Sequence, residues 1–273
     1  MKLVVAATAP FGAAVLEGLV ARHEVELLVT RPDRPRGRGR RVGAPPAKEA
    51  AERLGIPVAQ PERLTEAPGT AEVVVVCAYG VLVPEALLEK RLWLNVHPSL
   101  LPRWRGAAPV ERAIMAGDRE TGVTIHRTTA ELDAGPIAAQ RAFPIAPEDD
   151  AGAVFARSAE AAIELLGEVL PGVEDLRFRP QPGEGVTYAE KITTADRELD
   201  WSRPVDEIVN RVRALSPHIG ARGEVAGRTL TVWRARPAGP GAALVVGGVE
   251  LVGVQPEGRR GMTGAEYLRG LRA

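Results

Sequence analysis

One cysteine, two asparagines and four lysines are all that 273 residues contain of those three types. The lone thiol, Cys77, excludes an internal disulfide, and its place inside the apolar run 73–78 reads as a buried strand residue rather than a nucleophile, so thiol catalysis is set aside. Scarce asparagine is a trait of heat-adapted chains, although an arginine- and alanine-rich bias accounts for it equally well. No apolar run approaches the length needed to cross a bilayer, and the chain enters a strand-like run at residues 2–7 without the layout of a secretory signal, so a cytoplasmic location is expected. Acidic and basic residues balance at 35 each, which removes any global pull toward a polyanion and leaves only local clusters to provide one. A hydrophobic fraction of 45% excludes a disordered chain and is that of a soluble protein with one large or two ordinary domains.

What is present is an alternation of short apolar runs with amphipathic stretches. Residues 3–7, 25–30, 73–78 and 93–97 read as strands, and residues 11–22, 45–54 and 84–90 as helices between them. Near-continuous hydrophobic strands separated by helices predict a mostly parallel, Rossmann-like α/β sheet covered on both faces, with ligands beyond the carboxyl ends of its strands. The first strand-to-helix turn lacks the Gly-x-Gly-x-x-Gly spacing of a dinucleotide site, so NAD is not expected. Strands over 121–127 and 137–143 and a long helix over 150–170 complete a first domain, residues 1–176. Proline and glycine crowd the following stretch, read as an irregular linker over 177–195. The remainder, residues 196–273, opens on a helix at 204–215 and continues in short strand-like runs at 221–226, 229–235, 243–246 and 249–254, which by spacing alone make a small antiparallel sheet.

Residues 95–109 read Asn-Val-His-Pro-Ser-Leu-Leu-Pro-Arg-Trp-Arg-Gly-Ala-Ala-Pro. Asn95 and His97, two apart at a strand end, project to the same face and can reach one substrate. Pro98 pushes His97 toward extended backbone, and Pro102 and Pro109 stiffen the loop. An amide, an imidazole and a carboxylate suit acyl transfer, which needs a donor for a developing oxyanion and a group to manage amine protons. A nearby carboxylate is expected to orient the imidazole and raise its pKa. Taken singly, an Asn, a His and an Asp before Ala-Gly-Pro are ordinary turn and hydrogen-bonding residues. His126 in its strand-like run, and His23 and His218, are read as structural.

This run resembles the signature of the 10-formyltetrahydrofolate-dependent formyltransferases, and the segment Glu131-Leu132-Asp133-Ala134-Gly135-Pro136 resembles that family's Leu-Asp-x-Gly loop. Tyr79-Gly80 with Pro84, and Tyr188-Ala189-Glu190-Lys191-Ile192 with Asp200-Trp201, extend the likeness over both halves, in the form shared by enzymes that act on methionyl-initiator tRNA. The first turn departs from the family's Gly-Thr-Pro-x-Phe, keeping Thr8 and Phe11 but carrying Ala7 and Ala9. The resemblance implies catalytic roles for Asn95, His97 and Asp133, with His97 acting either as base or as imidazolium. It also implies 10-formyltetrahydrofolate as formyl donor, held by Ser99, Leu100, Leu101, Pro102, Tyr79 and Gly80, no metal, and an OB-like carboxyl-terminal barrel that binds tRNA.

Residues 31–41 hold six arginines and one acid, a local charge of +5 in a neutral chain. Interspersed glycine and proline are expected to prevent any regular helix or strand, leaving a flexible loop. Such a loop is commonly just solvated, but the family resemblance implies that Arg34, Arg36, Arg38, Arg40 and Arg41 contact tRNA, with Arg211, Arg213 and Arg222 extending the track. Acceptors such as an amino-sugar nucleotide or water give no reason for this charge, and a glycinamide ribonucleotide formyltransferase is expected to lack the second domain. A catalytically silent RNA-binding protein on the same fold is disfavoured by the intact Asn, His and Asp. Nothing in the pattern demands more than a monomer.

Overall fold

A computed structural model describes residues 1–36 and 41–272, and two compact units emerge from its contacts. The first comprises Met1–Ala107, Gly122–Ala142 and Ala156–Tyr188, and the second Ala108–Thr121, Phe143–Phe155 and Ala189–Ala273. The strands, in chain order, are β1 (Lys2–Ala7), β2 (Glu24–Val29), β3 (Arg34–Arg36), β4 (Arg41–Gly43), β5 (Val58–Ala59), β6 (Val73–Cys77), β7 (Leu92–His97), β8 (Arg105–Gly106), β9 (Glu120–Arg127), β10 (Ile137–Pro144), β11 (Tyr188–Ala189), β12 (Ala221–Val225), β13 (Arg228–Pro237), β14 (Val245–Val246), β15 (Val249–Pro256) and β16 (Met262–Thr263). The helices are α1 (Pro10–Val20), α2 (Pro46–Arg53), α3 (Glu85–Leu88), α4 (Pro109–Met115), α5 (Ala151–Val169), α6 (Val205–Leu215) and α7 (Gly264–Arg272).

A seven-stranded sheet runs β10-β9-β7-β6-β1-β2-β5. Strands β5, β2, β1, β6 and β7 pair in parallel, and β9 runs antiparallel to β7. Every residue of β6, Val-Val-Val-Val-Cys, is buried, as expected for β-branched residues in a sheet covered on both faces. One face packs Val4, Ala6, Val74, Val76 and Trp93 under Leu87 and Leu88 of α3. On the other face α1 lies so close that a Cβ at Gly12 would stand 2.5 Å from the Cys77 carbonyl oxygen, which explains a glycine in that first turn. Burial pushes the Cys77 thiol pKa up, consistent with a packing role. Pro10 and Pro46 each open a helix, where a missing N–H costs nothing.

In the second unit β12, β13, β15 and β14 form an antiparallel sheet, with β16 added against β15. Register shifts between Val232 and Ala235 bend β13 and curl the sheet, as bulges do. Its core joins Ile208, Val212 and Leu215 of α6 to Leu230, Val232, Val249, Leu251 and Val254 of the strands and Tyr267 of α7. Trp201 packs on Gly223, where a Cβ would stand 2.3 Å from the indole, and donates its Nε1–H to Glu224 O at 2.9 Å.

One reading of the sequence needs correction. The composition of the arginine-rich segment predicts no regular strand, yet Arg34–Arg36 pairs antiparallel with Arg41–Gly43 in register Arg34↔Gly43, Pro35↔Val42 and Arg36↔Arg41. Each strand of a two-stranded ribbon keeps one free edge, the kind of place where a proline such as Pro35 is tolerated. Arg38 and Arg40 lie outside the described residues. The glycine- and proline-rich stretch 171–195 is irregular but not loose, because Arg179 exchanges backbone hydrogen bonds with Ile137 at 2.7 and 2.9 Å and Thr187 O accepts from Arg105 N–H at 2.9 Å. No helix among the described residues is long and apolar enough to cross a membrane.

Candidate active site

The carboxyl end of β7 gathers the polar residues of the first unit. Asn95 stands between Val76 of β6 and His126 of β9, and His97 stands opposite Thr124, so Asn95 and His126 are cross-strand neighbours on one face. Asp133 enters from the loop between β9 and β10 with φ of +49°, a left-handed conformation that aspartate tolerates better than most residues. Gly135 follows because a Cβ there would lie 1.7 Å from the Arg127 carbonyl oxygen. The Asp-x-Gly spacing is thus set by the tightness of the turn.

These side chains form one network. Asn95 Nδ2 donates to Asp133 Oδ1 at 3.0 Å and lies 3.2 Å from His126 Nε2, while His126 Nδ1 lies 3.1 Å from Arg127 O. A carbonyl only accepts, so His126 carries its proton on Nδ1 and its bare Nε2 receives the second Asn95 N–H. Gly106 N–H donates to Asp133 Oδ2 at 2.8 Å. His97 Nε2 is 2.7 Å from Trp104 O, which fixes the proton of the neutral ring on Nε2 and leaves Nδ1 bare, 3.7 Å from Asp133 Oδ2. Trp104 itself is held left-handed at φ of +63° with its N–H on Thr187 Oγ1 at 2.9 Å.

The electrostatics follow from burial and neighbours. Burial acts to raise the Asp133 carboxyl, but the imidazoles of His97 and His126 and the Gly106 N–H overcome it and lower its pKa to about 2. For His97 burial wins: it lowers the pKa below the ordinary value despite the raising effects of Asp133 and the Trp104 carbonyl. The net rise expected from a neighbouring carboxylate is therefore reversed, and at neutral pH a neutral imidazole faces an ionised carboxylate.

The other sequence-predicted residues divide by exposure. Ser99 is fully buried with its hydroxyl donating to Arg103 O at 2.6 Å, and Leu101 and Tyr79 are buried as well. Leu100 and Pro102 are half-buried, Gly80 is exposed at φ of +71°, and Leu82 is 77% exposed beside it. The loops carrying these residues leave the adjacent ends of β6 and β7. A cavity of about 370 Å³ opens beside the Asp133 loop, lined by Arg105, Glu131, Pro136, Pro180 and Gln181 among others. A smaller one of about 200 Å³ in the second unit, ringed by Asp200, Arg203 and Glu207, holds none of the motif residues.

At the root of the arginine ribbon, Asp33 accepts from Lys48 Nζ at 3.0 and 2.8 Å and from Gln60 Nε2 at 2.7 Å, fixing where the ribbon leaves the sheet. Arg34 is exposed. Arg211 and Arg213 are engaged elsewhere: Arg211 donates to Asp196 O at 3.1 Å, and Arg213 to Ala146 O and Asp149 O at 2.9 and 2.8 Å, so both serve the second unit rather than a free basic track. His126, read from the sequence as structural, stands beside Asn95 because β9 is the neighbour of β7.

Residues 1–170 match the family model described as formyl transferase, and residues 191–272 match the formyl transferase C-terminal domain. The methionyl-tRNA formyltransferase of Paracoccus denitrificans is 42% identical, with 99% of this chain and 98% of that protein aligned, and that of Dechloromonas aromatica is 44% identical over 87% and 80%. The chain belongs to the methionyl-tRNA formyltransferase family. Among solved structures, the N-formyltransferase of Helicobacter canadensis in complex with folinic acid and dTDP-3-aminofucose superposes with a TM-score of 0.68 at 17% identity, over 89% of this chain and 91% of that one. HypX from Aquifex aeolicus also reaches 0.68 at 22% identity over 98% of this chain, which spans 48% of HypX. At these identities the likeness is one of fold, and both chain halves of this methionyl-tRNA formyltransferase family member share it.

Proposed function

We infer that the pocket of Asn95, His97 and Asp133 passes the formyl group of 10-formyltetrahydrofolate to the free amino group of methionyl-initiator tRNA, giving N-formylmethionyl-tRNA for translation initiation. The observation that carries this reading is the convergence, in one buried network, of the carboxamide, imidazole and carboxylate that amine formylation requires. The amine nitrogen attacks the formyl carbon. His97 serves as the base, because its bare Nδ1 is free to take the amine proton and its neutral form prevails at neutral pH. The imidazolium so formed sits beside the ionised Asp133, 3.7 Å away. As charge develops on the formyl oxygen, Asn95 exchanges its bond to His126 for one to that oxygen, while its bond to Asp133 keeps the amide aimed. Collapse of the tetrahedral intermediate breaks the bond to N10, which receives the proton from His97 and leaves as tetrahydrofolate.

The open apolar surfaces of Leu82, Leu100 and Pro102 suit a flat heterocycle, and Gly80 lets its backbone come close. Ser99, Leu101 and Tyr79 support those surfaces from below. The charge of residues 31–41 suits the tRNA backbone, with Arg34, Arg36, Arg38, Arg40 and Arg41 as the contacts. The protein works as a cytoplasmic monomer in which residues 1–176 carry the chemistry, 177–195 link, and 196–273 add tRNA contacts. The family matches, which stop at residue 170 and resume at 191, support that division.

Incubation with labelled formyl donor and charged initiator tRNA, charged elongator tRNA or an amino-sugar nucleotide tests the substrate. Label on the initiator tRNA alone is expected, and label on the sugar nucleotide instead overturns the assignment.

A further inference from the structure

Three kinds of contact hold the Asp133 loop, and only two of them touch its carboxylate. Asn95 and Gly106 bind the two carboxylate oxygens. The peptide that carries the carboxylate is held separately, by a side chain 48 positions later in the chain. Gln181 Nε2 donates to Asp133 O at 2.7 Å and to Gly135 O at 2.9 Å, using both amide hydrogens on carbonyls that flank Ala134. Its Oε1 accepts from Arg105 Nε at 3.1 Å and Arg105 Nη2 at 2.7 Å. The opposite orientation of the amide would face oxygen toward two carbonyls and nitrogen toward a guanidinium, so the assignment is unambiguous. Arg105 is itself nearly buried, lies next to the Gly106 whose N–H binds Asp133, and reaches Glu131 at 3.4 Å on the near side of the loop.

This clip acts on a backbone that has reason to relax. Asp133 is a non-glycine residue at positive φ, a conformation that persists only when its surroundings over-determine it. Gln181 lines the cavity beside the loop rather than the hydrophobic core, so packing does not account for its placement.

We propose that Gln181 is a positioning residue for formyl transfer: anchored by Arg105, it fixes the turn at Asp133 and thereby the separation between the Asp133 carboxylate and His97. The proposal rests on the reading of Asp133 and His97 as the catalytic pair. It also gives the irregular stretch that follows the long helix α5, within the first unit, a part in the chemistry.

The test is steady-state kinetics of the full chain with Gln181→Met, which keeps the length and removes every hydrogen bond, in the native and the Asp133→Asn backgrounds. In the native background kcat is expected to fall by about 10- to 100-fold, the scale of a small misplacement of a catalytic group, with KM for folate and tRNA little changed. In the Asp133→Asn background the same substitution is expected to add almost nothing, because residues acting as a unit are not additive. The His97 titration midpoint should also move down in Gln181→Met, since withdrawal of the carboxylate removes the charge that supports the imidazolium. Arg105→Met, which leaves Gln181 unanchored, should show the same pattern and serves as the second variant if the first fails to fold. Unchanged kcat in Gln181→Met, or an equal loss in both backgrounds, overturns the proposal while leaving the catalytic pair intact. Full activity in Asp133→Asn alone overturns both.

Discussion

The pocket around Asp133 and the arginine ribbon at residues 31–41 use charge in opposite ways. In the pocket, each carboxylate oxygen of Asp133 and each amide hydrogen of Asn95 has a partner inside the protein, and even the peptide of the loop is clipped. At the ribbon the root is tied through Asp33, in a stretch whose sequence holds six arginines and one acid. A few fixed, desolvated dipoles favour a transition state because they need no reorganisation when charge moves. Many solvated cations capture a polyanion without fixed geometry and lose strength with salt. Under the proposed function the first arrangement governs turnover and the second affinity, and substitutions should separate them.

The largest separation is expected from His97→Ala. Removing the base should lower kcat by about 10³-fold, within the range for a general base, while tRNA affinity in a filter-binding assay stays at the native value. A variant with near-native turnover would remove His97 from the chemistry. Next comes Gly135→Ala, whose Cβ would meet the Arg127 carbonyl oxygen at 1.7 Å. The Asp133 loop must then open, and a fall in kcat of about 10²-fold is expected with folate KM little affected. A silent Gly135→Ala would mean that the loop geometry does not govern turnover. Smaller still is the joint change of Arg34, Arg36 and Arg38 to Gln. It should weaken tRNA binding and make the slope of log K against log salt shallower by about 2 to 3, at about 0.7 to 0.9 per phosphate lost, with kcat unchanged at saturating tRNA. A loss of kcat instead would blur the division between the two regions.

Much of this architecture is legible in the amino-acid sequence. The run Val73–Val76 announces a strand buried on both faces, and the two-residue spacing of Asn95 and His97 announces a shared face. The Asp133-Ala134-Gly135 turn is legible as a motif, though not for its steric reason, which lies in a carbonyl oxygen eight residues earlier. His126 is hidden because cross-strand register is a tertiary fact. Arg105 and Gln181 are hidden because 76 positions separate partners that meet end to end. Helix α7 is obscured by Gly264 and Gly270, yet its start carries a capping box: Thr263 N–H donates to Glu266 Oε2 at 2.8 Å, and Glu266 N–H to Thr263 Oγ1 at 3.2 Å. The spacing Thr-x-x-Glu is the signal that could have found it.

The direction of the His97 pKa is also beyond the sequence, since a carboxylate neighbour and burial pull it in opposite senses and only the folded geometry weighs them. It is the quantity that tests the central claim most directly. Nitrogen-detected NMR titration of His97, in the native protein and in Asp133→Asn, should place the native midpoint below the ordinary 6.5 and the variant's lower again, because the Asp133 charge is what raises it. A His97 that stays protonated through neutral pH, or whose midpoint ignores Asp133, would contradict a neutral base paired with an ionised carboxylate.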